Sequence, residues 1–76
     1  MKIKLNTVND VKEFVRISES FKYDSIDVKQ GRWIIDGKSI MGVFSLNLTK
    51  ELDVNIDSER EKSIVDFYSR IYKWKI

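Results

Sequence analysis

Hydroxyls, carboxylates and amines are the only side chains here that could do chemistry, because the 76 residues include no histidine and no cysteine. That count removes imidazole catalysis, phosphohistidine, thiolate nucleophiles, disulfides and the usual nitrogen and sulfur metal ligands. Among the hydroxyls, Ser39 has the most telling surroundings. In GKSIMGVFSLNL, Gly37 to Leu48, it follows a Gly-Lys pair, and Ile40, Met41, Val43, Phe44 and Leu46 come after it almost without polar relief. Two roles suit it. As the N-cap of a short helix it would satisfy a free backbone N–H, and an alanine there would cost about 1 kcal/mol. As a phosphate acceptor it would carry about −1.5 to −2 charge at a helix start, where the dipole favours an anion.

Other constellations are weaker. Asp53, Asn55 and Asp57 form a polar stripe on one strand face, but a Mg²⁺ or Ca²⁺ site needs more oxygen ligands than this spacing supplies. No metal is expected, and no motif calls for a cofactor. The Gly37-to-Gly42 spacing is followed by Val43-Phe44 and not by the Lys-Ser that completes a phosphate-binding loop. Tyr23, Trp33, Tyr68, Tyr72 and Trp74, with Lys29, Arg32 and a basic tail, raise the question of base stacking. Tyr68 and Tyr72 lie at helical core spacing, however, and a net charge of +2 is too small to argue for nucleic acid. Trp74 fits either role. Trp33 and Ile35 share one strand face and Arg32 and Ile34 the other, so one large apolar residue must face away from the core.

The elements that position these residues are legible. Met1 to Leu5 alternates and predicts a strand. Thr7 and Asp10 form a capping-box pattern ahead of Val8, Val11, Phe14, Val15, Ile17 and Phe21, which predicts an amphipathic helix. Ile26 and Val28, a Gln30-Gly31 turn and Arg32 to Asp36 predict a hairpin. Ser39 to about Phe44 predicts a short helix. Leu52, Val54 and Ile56 mark the clearest strand. Ser58 to Glu61 has the pattern of a second capping box, and Ile64, Val65, Tyr68, Ile71 and Tyr72 predict the face of a long last helix. The order β-α-β-β-α-β-α gives an α+β open-faced sandwich: a four-stranded antiparallel sheet with helices on one face. A ferredoxin-like arrangement shares most of this order.

The length fits one domain, residues 1–76, with a thin stability margin. No run is apolar enough to span a membrane, the start lacks a signal-peptide core, and the lack of cysteine fits a reducing cytosol. The expectation is a cytoplasmic protein.

With these residues in place, the chain resembles the histidine-containing phosphocarrier protein (HPr) family of the sugar phosphotransferase system. In KSIMGVFSL, Lys38 to Leu46, only Phe44 departs from the family pattern, and KYDSIDV, Lys22 to Val28, resembles the segment between that family's first helix and second strand. The resemblance implies an HPr-like fold across the chain. The family's active loop, roughly Gly-Ile/Leu-His-Ala-Arg-Pro, aligns without a gap on TVNDVK. Asn9 then stands at the histidine, Val11 at the arginine and Lys12 at the proline. An asparagine amide is not a nucleophile at neutral pH, and valine lacks the guanidinium fork that steadies phosphate.

The other functional segment is intact. In many family members the serine of Lys-Ser-Ile-Met-Gly is phosphorylated by a dedicated kinase, and the Ile, Met and following-turn residue dock partners. Carried over, these are Ser39 as phosphorylation candidate and Ile40, Met41 and Phe44 as docking residues. Core packing remains the alternative for the three apolar residues, which share a helix face. An exposed apolar patch would instead mark a contact, self-association included. The resemblance implies a non-enzymatic regulatory or interaction module, with a partner such as a serine kinase or a transcriptional regulator. The competing reading is a small binding module using its open sheet face for RNA or another acidic partner.

Overall fold

A computed structural model describes all 76 residues. The elements run β1 (Lys2–Ile3), α1 (Val8–Ser20), β2 (Ser25–Gln30), β3 (Trp33–Asp36), α2 (Ile40–Phe44), β4 (Leu52–Asp57) and α3 (Glu61–Ile71), with a 3-10 turn at Tyr72–Trp74. The order is the expected β-α-β-β-α-β-α. The four strands form one antiparallel sheet, β1-β4-β2-β3.

Alternation carries the sheet. In β4, Leu52, Val54 and Ile56 are buried and Asp53, Asn55 and Asp57 exposed. Beside it, Ile26 and Val28 of β2 pair with Ile56 and Val54, so one sheet face is apolar and takes the helices. Helix α1 packs against both α2 and α3. Phe14 meets Trp74 edge-on at 6.3 Å, and Phe21 meets Phe67 at 5.4 Å. The β2–β3 hairpin closes through Gly31 and Arg32, with Gln30 opposite Trp33. Gly31 has φ +59, a left-handed conformation that glycine adopts without Cβ strain.

The α1 capping box forms as expected. The Thr7 hydroxyl accepts from the Asp10 N–H at 3.0 Å, and the Asp10 carboxylate accepts from the N–H groups of Thr7 and Asn6. The Trp74 indole N–H, close by, also favours the ionised Asp10 carboxyl. Partial burial pushes the Asp10 carboxyl up, but these hydrogen bonds together outweigh it and hold the group below its ordinary 3.8.

Several expectations need correction. Strand β1 pairs with β4 only over Lys2–Ile3, although Ile3 and Leu5 are both buried. Its other edge is taken by the tail: the Lys4 N–H donates to the Trp74 carbonyl and the Ile76 N–H to the Lys2 carbonyl. Arg32 belongs to the turn rather than to β3. The Ser58 capping box does not form. Ser58 instead accepts from the Arg60 N–H at 3.0 Å in a local turn, and α3 starts after Arg60 with no side-chain cap. A hydroxyl satisfied two residues on has no reason to cap a helix. The inner face of α3 is Ile64, Phe67, Tyr68 and Ile71, whereas Val65 and Tyr72 are exposed. Phe67 faces the core, where its ring meets Phe21 edge-on. Tyr68 is half-buried and its hydroxyl accepts from the Ile56 N–H at 3.4 Å, where β1 no longer covers β4. Trp74 is core. Val8, counted on the apolar face of α1, is exposed.

Candidate functional site

Helix α2 has five residues, too few to persist without tertiary support. Several contacts hold it. At its start the Ser39 hydroxyl caps it, accepting from the Gly42 N–H at 3.1 Å. Just before that, the Lys38 ammonium donates to the Asp24 carbonyl at 2.6 Å. Beneath it, Gly42 lies so close to β3 that a Cβ would stand 2.6 Å from Ile35 Cγ2. Val43 is buried. Past its end, the Gln30 carboxamide brackets Asn47, donating to its carbonyl at 2.7 Å and accepting from its N–H at 2.8 Å.

A helix held this way turns its remaining side chains outward. Met41 is 81% exposed, Ile40 40% and Phe44 39%. The three expected docking residues therefore form one exposed apolar patch, with Val43 and Leu46 as the buried side. Phe44 extends the patch toward α1: it lines a shallow groove with Leu5, Val8 and Leu48. Val8 and Leu48 were not singled out from the sequence as site residues. Val8 carries the helical spacing of a core residue, and nothing local shows that the first turn of α1 stands clear of the sheet.

Asn9 follows Val8 in that first turn, exposed, and the cap itself is Thr7. The neighbouring Val8 lines the groove with Phe44, whereas Asn9 is not among the residues that line it. Val11 is fully buried, so that position packs the core and offers nothing at the surface. Ser39 is half-buried at the opposite end of α2 from Phe44.

The structure also assembles a network that the sequence did not reveal. The Asp24 side chain is only 3% exposed and meets the Arg60 guanidinium at 3.3 Å, while Arg60 also lies over the Tyr23 ring. Because Lys38 holds the Asp24 carbonyl, this network ties the start of α2 to the α1–β2 and β4–α3 loops. Asp24 reads from sequence as a helix terminator, and its partner lies 36 residues away.

The open sheet face is of mixed charge rather than basic, with Arg32 beside it in the β2–β3 turn. Register places Asp27, Asp36, Asp53 and Asp57 there against Lys2 and Lys29. Trp33 is exposed, but it pairs with Gln30 on the helix-facing side, near Leu46 and Asn47. Stacking aromatics ringed by cations are not assembled.

No protein-family model and no curated protein matches the chain. The fold is nevertheless a known one: an α+β, HPr-like open-faced sandwich. Among solved structures, Crh, the catabolite repression containing protein of Bacillus subtilis, superposes with a TM-score of 0.68 over 97% of this chain and 87% of its own, at 16% identity. That crystal structure shows a swapped domain in an intertwined dimer. Identity this low establishes the shared fold alone. No helix here is long and apolar enough to cross a membrane.

Proposed function

We propose that this chain is a non-enzymatic regulatory or protein-interaction module, HPr-like in fold, that docks a protein partner through Ile40, Met41 and Phe44 and is phosphorylated on Ser39. The observation that carries the reading is the exposure of Met41, flanked by Ile40 and Phe44, on a helix fastened at both ends. A patch held rigid before binding loses little entropy when a partner covers it. With no histidine in the chain, phosphohistidine has no site. The partner is a serine kinase or a transcriptional regulator of the phosphotransferase type, in the cytoplasm. The RNA reading finds no support in the charge of the open sheet face.

In the phosphorylation step the Ser39 Oγ takes the γ-phosphoryl group of ATP, releasing ADP and a proton. Intact-mass measurement after incubation with an HPr serine kinase and ATP should show one added phosphate on the parent chain and none on Ser39→Ala. The Ala variant loses the α2 cap, at about 1 kcal/mol, and remains folded. An unmodified parent chain would refute the phosphorylation.

A further inference from the structure

We propose that the free edge of β3 pairs antiparallel with β3 of a second copy of this chain, centred on Ile34, without exchange of any element. The two sheet edges are treated differently. The β1 edge is covered by Trp74 to Ile76, and the Tyr68 hydroxyl covers β4 where β1 ends. Strand β3 is left bare, and it reads Trp-Ile-Ile-Asp with no proline. Trp33 is 63% and Ile34 62% exposed. An open apolar edge is a template for another strand unless the fold blunts it.

The backbone fixes which groups are free. The Gly37 N–H donates to the Ile26 carbonyl at 2.8 Å, so by the antiparallel alternation Ile35 and Trp33 face β2, and Ile34 and Asp36 face outward. The Asp36 carbonyl, already outward, accepts from the Ser39 N–H. A new strand must place outward residues opposite outward residues. Centring on Ile34 sets Ile34 against itself and Trp33 against Ile35, and brings the turn residue Arg32 level with Asp36 of the second copy. That register pairs apolar with apolar on both faces and opposite charges at both ends, contacts that favour cross-strand pairing. Shifting by one pair sets Ile34 against Asp36 or against Arg32. Centring on Asp36 sets like charges together. The commitment to a second copy rests on this self-complementarity. So short a ladder buries less than the roughly 1,600 Å² of a standard interface, so the dimer is weak and concentration-dependent.

The test is sedimentation equilibrium of the full chain from micromolar to millimolar concentration. The parent should shift toward dimer. Arg32→Glu alone and Asp36→Lys alone should each weaken association roughly tenfold or more, since each sets like charges together at both ends. Their equimolar mixture should restore it. In the mixed dimer the introduced glutamate faces the introduced lysine at one end of the ladder, and the parental Arg32 and Asp36 face each other at the other end. Asp36 also accepts from the Lys38 N–H, so circular dichroism must show that its variant is folded. If it is not, Arg32→Glu and Ile34→Lys, which change exposed side chains only, must both weaken the dimer. A parent monomeric at millimolar concentration overturns the proposal. So does a mixture that fails to restore association, or a dimer indifferent to these substitutions, as an element-swapped dimer would be.

Discussion

Replacing Met41 with glutamate separates docking from folding, and the structure says why Phe44 does not. Phe44 is 39% exposed, so of the roughly 200 Å² of a phenylalanine side chain about 120 Å² is covered; at about 25 cal/mol per Å² that is an upper bound near 3 kcal/mol. A chain of this length has only about 4–11 kcal/mol in total. Phe44→Asp would therefore lower stability and binding together and leave their causes mixed. Met41 is 81% exposed, so it covers only about 35 Å² and stands to lose less than about 1 kcal/mol. Glutamate and methionine have similar helix propensities. We expect Met41→Glu to move the melting temperature by no more than about 6 °C, while a central hot-spot residue would cost the partner more than about 1 kcal/mol, or several-fold in affinity. Denaturation followed by circular dichroism gives the first quantity. The initial rate of Ser39 phosphorylation at sub-saturating chain concentration gives the second. A folded Met41→Glu chain phosphorylated at the parental rate would refute the α2 docking face, even if Ser39 were a substrate.

Arg60→Ala should destabilise by about 1–3 kcal/mol, because it leaves the Asp24 carboxylate buried without its cation; urea denaturation checks this, and a loss no larger than at an exposed pair such as Arg70–Asp66 would contradict it. Asp10 should contribute to acid sensitivity. Its carboxyl is held below 3.8 when folded, so the unfolded chain binds the proton first as pH falls. The stabilisation is complete above the ordinary value and is lost as pH drops through the folded one. Asp10→Asn should be less stable than the parent at neutral pH, with the gap narrowing below about pH 3.8, and a constant gap would count against the hydrogen-bond account.

What the sequence determined by itself is local. Alternation in β4, the Thr7–Asp10 box, the glycine turn and the Ser39 cap each depend on residues a few positions apart, and each appears as read. That Ile40, Met41 and Phe44 lie together on α2 was equally legible, since helical spacing sets it before any packing, but whether they lay in the core or at the surface was left open. Tertiary structure decided which face of a helix points inward and which distant charges meet. Phe67 rather than Val65 enters the core because Phe21 waits beside it. Ser58 leaves α3 uncapped because its hydroxyl is taken by the nearer Arg60 N–H. Arg60 finds Asp24, and the tail covers β1 while nothing covers β3, through contacts between residues far apart in the chain. Periodicity within one element carries no term for the element that will lie across from it. That term is set only when all the strands and helices are packed together.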